Sequence, residues 1–288
     1  MMKTLYLDCG MGAAGDMLTG ALLELIPNQD EFITKMNNLG IPEMAMKKER
    51  SMKCGIRGTK ITVTIGGEEE TVPHHHGHDH DHGHEHDHHH AKTHEQNHLK
   101  AHNHHHAGIH EIEHIIKDLR LAAKIELDVL AIYKQIAEAE SHVHGIPVVD
   151  VHFHEVGAMD AIADITAVCL LMSQIAPEQV IVSPIHVGGG HIRCAHGILP
   201  VPAPATMYIL HDAPIYGGGI KGELCTPTGA ALLKHFATRF GNMPIITTQA
   251  IGYGMGKMDF EAANCLRAIL GEAEDCTNTS RSSILHEG

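Results

Sequence analysis

Residues 74–110 cannot belong to a packed core. Eighteen of these 37 residues are histidine, separated mainly by Gly, Asp and Glu, and no apolar period runs through them. A segment that buries so little apolar surface does not repay the entropy of ordering, so the run reads as a disordered insertion. The fold must then be built from what lies on either side. The expected organisation is residues 1–72 and 111–272 as two parts of one domain, 73–110 as the His-rich insertion, and 273–288 as a flexible polar tail.

The flanking sequence carries regular patterns. Lys3 to Leu7 reads as a strand, followed by a small-residue turn and a helix from Asp16 to Ile26 with apolar residues at Met17, Leu18, Ala21, Leu22 and Leu25. Met44 to Ile65 reads as two strands around a turn at Gly55 to Gly58, with Ile61, Val63 and Ile65 alternating with threonines. Beyond the insertion, helical spacing resumes at Glu111, and a second helix is expected from Lys124 to Ala139. Pro147 to Phe153 and Val180 to Val187 are strand candidates. Ala158 to Ile175 is apolar enough to be a central helix. Residues 188–205 read as a long functional loop. Thr226-Pro227 opens a helix expected to reach Phe240, and strands are expected at Pro244 to Ile251 and Asn264 to Leu270. This order predicts an α/β or α+β fold, a mixed sheet with packed helices.

Composition narrows the function classes. A net charge of −14 with histidine neutral disfavours nucleic acid and anionic membranes as partners. No apolar run is long enough for a membrane span, and the N-terminus meets Asp8 too early for a secretory leader. The expected location is the cytoplasm. The 7 cysteines form no C-x-x-C pair, which argues against a disulfide framework.

Five motifs bear chemistry. In the insertion, His74, His75, His76, His78, His80, His82, His84, His86, His88, His89 and His90 are candidate metal ligands, because neutral imidazole binds nickel, zinc and copper. Their spacing does not encode which metal. Flexible ligands of this kind suit storage or delivery better than catalysis. The second motif is His152-Phe153-His154-Glu155 with Asp160 and Asp164. In an extended segment His152 and His154 share a face, and Asp160 and Asp164 lie one helical turn apart. One reading is an ordered divalent-metal site, with His154, Glu155 and Asp160 as catalytic candidates and His152, His154 and Asp164 as ligands. The other is that the aspartates complement a helix N-terminus.

Gly188-Gly189-Gly190 with Arg193 form the third motif, fit for close backbone approach to an anionic ligand, with a tight turn as the alternative. Thr226 and Thr228 open a helix whose N-terminus can take an anion or simply be capped. Asp8 through Asp16 is a Gly-rich turn in which Gly12 and Gly15 can form a phosphate nest, while Asp8 and Asp16 can hold a metal bridging phosphates. It lacks the Gly-Lys-Ser/Thr of a P-loop.

Taken in order, these segments resemble the LarC-type nickel-insertion family. The resemblance rests on Asp8-Cys9-Gly10 through Gly15-Asp16-Met17, on His152 to Ala158 with Asp160 and Asp164, on His196-Gly197 to Pro200-Val201-Pro202-Ala203-Pro204-Ala205, and on Thr226-Pro227-Thr228-Gly229-Ala230. It implies a cyclometallase of the lyase class. Such an enzyme places Ni2+ into a pyridinium-3,5-bisthiocarboxylic acid mononucleotide, the dithioacid precursor of the lactate racemase cofactor, using CTP with Mn2+ or Mg2+. It also implies a C-terminal companion domain or polypeptide for CTP binding, and apo lactate racemase as a downstream partner. In this setting His154 or Glu155 is the expected base for the ring proton. Two other classes remain: a nickel store or delivery protein without catalysis, and a metal-dependent hydrolase using His152, His154 and Asp160.

Overall fold

The computed structural model describes residues 1–69, 108–151, 159–194 and 197–274. Nearly all of the His-rich insertion, the segment from His152 to Ala158, and the tail therefore lie outside the described residues.

The chain opens with β1 (Met2–Asp8), whose Leu5 and Leu7 enter the main core while Tyr6 faces the opposite side with Ile181 and Ile269. Period-two alternation sorts these side chains. α1 (Gly15–Leu23) follows and is buried along its whole length. α2 (Gln29–Asn37), which the sequence reading did not foresee, buries only Phe32 and Met36. β2 (Met44–Lys53) and β3 (Ile56–Ile65) form the expected hairpin. Its turn is tighter than expected, only Cys54 and Gly55, both at positive φ, the backbone that joins twisted strands closely. β4 (Glu68–Glu69) pairs with the end of β3.

α3 (Ile109–Asp118) starts two residues before the expected position. α4 (Ala123–His144) runs past Ala139 until Gly145 ends it in the left-handed conformation. The strand expected at Pro147 is a single 3-10 turn, Val148–Asp150, in which the Asp150 N–H donates back to Pro147 O at 2.9 Å. Local hydrogen bonding outcompetes β propensity here, and among the described residues no strand pairs with this segment. α5 (Met159–Ile175) buries most of its surface and is the expected central helix.

The strand expected over Val180 to Val187 is broken into β5 (Gln179–Val182) and β6 (Ile185–His186). Pro184 has no N–H for a ladder and sits at the break. The expected long loop holds β7 (Gly188–Gly189), a small antiparallel hairpin of β8 (His191–Cys194) and β9 (Gly197–Pro200), and the start of α6 (Pro204–Ile209). β10 (Ile215–Tyr216) pairs with β6 and β11 (Gly222–Glu223) with β7. α7 (Pro227–Phe236) stops four residues early, because Arg239 and Phe240 leave as β12 (Arg239–Phe240) to pair with β5. β13 (Ile246–Met255) and β14 (Cys265–Ala273) complete the sheet.

The main sheet has the order β12-β5-β1-β14-β13-β3-β2, with β4 on β3. β12, β5 and β1 are mutually parallel, while β14 runs antiparallel to both β1 and β13. α1 packs on β13 and β3, and α5 packs on α1 with α4 beyond it. The expected mixed sheet with packed helices is thus present. The carboxyl ends of the parallel strands β1 and β5 are where crossing connections leave a crevice in such sheets. No helix among the described residues is long and apolar enough to cross a membrane.

Candidate functional site

Three connections converge beyond β1 and β5. The turn after β1 is held by Cys9, whose N–H donates to Ser183 Oγ at 2.8 Å and whose carbonyl accepts from the N–H groups of Gly12 and His186. Ala13 pairs with Cys225: the Ala13 N–H donates to Leu224 O, and the Thr226 N–H donates to Ala13 O, each at 3.0 Å. Gly12 is obligatory. Its φ is +80°, and a Cβ would stand 1.9 Å from Leu224 O. Gly188 pairs opposite Glu223 on β11, so the triglycine motif is joined to the same cluster.

This packing redefines several candidate roles. Gly12 is buried against the Leu224 backbone rather than lining an open nest. Gly188 is buried, Gly189 and Gly190 are half-buried, and Arg193 is exposed on the β8–β9 hairpin. Thr226 caps α7, its Oγ1 accepting from the Gly229 N–H at 3.1 Å, and Thr228 is half-buried in the first turn. Cys9 and Cys225 are completely buried within the cluster. Burial pushes both thiols up, with Cys225 and Asp8 adding to the effect on Cys9 and Glu223 to that on Cys225. They are therefore neutral thiols, not resting thiolates.

Asp8 and Asp16 have different partners. Asp8 Oδ2 accepts from the Arg267 guanidinium across the β1–β14 pair, and its Oδ1 accepts from the Gly10 N–H. Asp16 lies in the first turn of α1, 7% exposed, with Oδ1 accepting from the Met17 N–H at 2.8 Å. Its electrostatic neighbours are Asp164 and Lys257.

Asp16, Asp160, Asp164 and Lys257 form a second group, which the sequence had only partly indicated. Asp164 keeps some exposed surface, yet its Oδ1 is sealed from solvent and has no hydrogen-bond partner. Burial pushes its carboxyl well above the usual carboxylate range, Asp16 and Asp160 push it further, and Lys257 opposes them. Burial likewise raises Asp16, against the pull of Lys257 and the Met17 N–H. Burial pulls the Lys257 ammonium down, but Asp16, Asp164 and Glu69 outweigh it, and the net shift is upward. Lys257 Nζ also lies 3.7 Å from Glu69. Asp160 caps its own helix start, with Oδ1 accepting from the Ala161 N–H at 2.8 Å. Among the described residues, no group of three His, Cys, Asp or Glu is arranged to hold a metal ion. The insertion histidines 74–90, His152, His154 and Glu155 lie outside the described residues.

Two groups were missed by sequence reasoning. Lys257 stands in a polar turn with nothing to mark it. His186 was read as an inner position of one long strand, although Pro184 two residues earlier signalled the break that frees it.

Fold and site define a mixed α+β protein whose chemistry-bearing side chains gather on loops beyond its parallel strands and around one buried acidic group. The chain belongs to the nickel insertion protein family, whose model, described as "Nickel insertion protein", matches residues 5–286. It is 42% identical over 291 residues to a pyridinium-3,5-bisthiocarboxylic acid mononucleotide nickel insertion protein of Clostridium acetobutylicum, covering 99% of this chain and 67% of that protein. Proteins of the same description from Clostridium kluyveri and Geobacillus kaustophilus are 38% and 36% identical, each over 99% of this chain, with 66% and 63% of their own lengths covered. The chain thus spans somewhat under two thirds of the length of several curated relatives. No solved structure matches it.

Proposed function

We propose that this chain is the nickel-supplying part of an insertase that loads Ni2+ into the pyridinium-3,5-bisthiocarboxylic acid mononucleotide. The observation that carries the reading, beside family membership, is the place of the acidic group. Glu69 lies four residues before the start of the His-rich insertion at residue 73, and Asp160 follows His152 to Ala158 by two residues. Both act on the Lys257 ammonium, which also offsets part of the cost of burying Asp16 and Asp164. The two histidine-bearing segments are therefore joined in sequence to residues that act on the lysine of a buried carboxylate pair. A tethered histidine reservoir raises the local nickel concentration. His152, His154 and Asp164 then hold the ion, with Asp16 as a further carboxylate.

On insertion, the ring C–H loses its proton to Glu155, or to His154 once that imidazole has released the ion, and the carbon's electron pair binds Ni2+. The two sulfurs bind alongside, and nothing is oxidised or reduced. Asp160 orients this base. Of the anion-binding candidates, Gly189, Gly190, Arg193 and Thr228 keep exposed surface for the anionic mononucleotide, while the buried Gly188 and the capping Thr226 hold their backbone in place. Asp8 accepts from Arg267 and Asp16 from the Met17 N–H, and neither is given a role with CTP. The Mn2+ or Mg2+ with CTP is assigned to a C-terminal companion, with apo lactate racemase the recipient of the product.

The test is mass spectrometry of the mononucleotide after incubation with this chain, Ni2+, Mn2+ and CTP, with and without the companion domain. Gain of one nickel and loss of one proton, dependent on the companion, is the expected result. No product in either mixture, with nickel retained on the chain, would leave storage or delivery as the function. Deleting residues 74–106 should abolish storage yet leave insertion intact at high nickel.

A further inference from the structure

We propose that His186 takes over as the protein's ligand to nickel once the substrate has bound the ion, binding through Nε2 the coordination position that the substrate leaves open. The inference rests on the insertion reading above.

His186 is fixed on three sides. Its backbone N–H donates to Cys9 O at 3.1 Å, its ring Nδ1 lies 3.1 Å from Gly10 O, and its ring stacks on Tyr216 with centroids 4.8 Å apart and planes at 6°. A carbonyl oxygen only accepts, so the proton belongs on Nδ1. The neutral ring then carries its lone pair on Nε2. That nitrogen is sealed from solvent and has no partner, in a residue only 6% exposed. An imidazole anchored by a backbone carbonyl at one nitrogen and bare at the other is the arrangement in which histidines ligate metals. A buried unpaired nitrogen otherwise costs stability without return.

What covers Nε2 is backbone. A Cβ on Gly218 would stand 2.3 Å from it, so no residue other than glycine fits there as the chain lies. Gly217, Gly218 and Gly219 are all exposed. Ligation through Nε2 requires this exposed glycine strap to move aside.

A single imidazole cannot hold nickel alone, and no three-donor group surrounds it among the described residues. It needs a partner that brings the other ligands. The relatives' substrate name specifies a pyridinium with two thiocarboxylic acids at positions 3 and 5. Two sulfurs and the ring carbon between them fill three positions around the ion. Ni2+ in tetragonal surroundings takes four in its plane. A neutral imidazole fits the fourth and adds no charge. Because Nε2 is already bare, this step releases no proton. The ring proton leaves separately to the base.

The test uses the full chain with the nickelated mononucleotide as probe. Binding is followed calorimetrically, and the nickel environment by X-ray absorption at the nickel edge. In the wild type, one imidazole nitrogen is expected on the nickel of the bound probe. His186→Gln should keep its melting temperature, lose that imidazole signature, and bind at least about 10-fold more weakly. Added free imidazole should restore the signature in His186→Ala. An unchanged signature in His186→Gln overturns the proposal, as does probe bound by the wild type without an imidazole, and in both cases the insertion reading survives. Failure of the wild type to bind the probe, with the companion domain present as well as absent, sinks the insertion reading and this proposal with it.

Discussion

A Cβ built on Gly15 would stand 2.7 Å from Asp164 Oδ2 and 2.7 Å from Asp164 Cβ. The first turn of α1 and the second turn of α5 therefore meet without room for a methyl group, and this contact brings Asp16 to Asp164. Gly15→Ala should push the helices apart and lower stability by about 1–3 kcal/mol. Urea unfolding measures this directly. An unchanged midpoint would mean that the helices are not in contact at this point.

The same contact sets a pH dependence. Asp16 and Asp164 have folded-state values raised above the usual 3.8, chiefly by burial. The folded state then holds protons that the unfolded chain has released. That contribution is present in full below pH 3.8 and is lost as pH rises through the folded values. Asp164→Asn should accordingly melt higher than the wild type at pH 8, with the advantage shrinking towards pH 4. The same variant should bind nickel more weakly, a trade of function against stability. A melting difference that stays constant from pH 4 to pH 8 would refute the buried-acid account.

The cap on α7 has a separate value. Thr226 Oγ1 accepts from the Gly229 N–H, while the Thr226 N–H donates to Ala13 O. Thr226→Ala removes the first bond and leaves the second. The expected loss is about 1 kcal/mol, read as a shift in thermal midpoint. Because the backbone bridge remains, the loop after β1 should keep its protection from hydrogen exchange. Exchange throughout that loop would show that the side chain, not the backbone, holds it.

Arg267 and Asp8 join the two chain ends of the domain, but both are partly exposed, at 41% and 29% of their side chains. Solvent screening limits such a pair to below about 1 kcal/mol. Arg267→Met should therefore change stability little. A loss well beyond that limit in a denaturant titration would show that the pair acts as a buried one.

Much of this fold was legible in the sequence. The strand, glycine turn and buried helix from Met2 to Leu23, the hairpin at Met44–Ile65, and the central α5 follow from period and composition alone. Pro227 behind Thr226 marked a helix start and its cap. The errors fell where a segment's conformation depended on whether a partner strand lay beside it. Pro147 to Val151 had β-type residues but no pairing strand among the described residues, and Arg239–Phe240 looked helical until β5 offered an edge.

The sequence by itself determined which residues can carry chemistry and where the helices and strands with a clear apolar period lie, because residue type and periodicity are local properties. Only the tertiary structure decided their company. It gave Asp8 to Arg267 and Asp16 to Asp164 and Lys257, buried Gly12 under Leu224, and left His186 with a bare nitrogen. Those relations are set by close packing between elements distant in the chain, and neither spacing nor propensity encodes a contact of that kind.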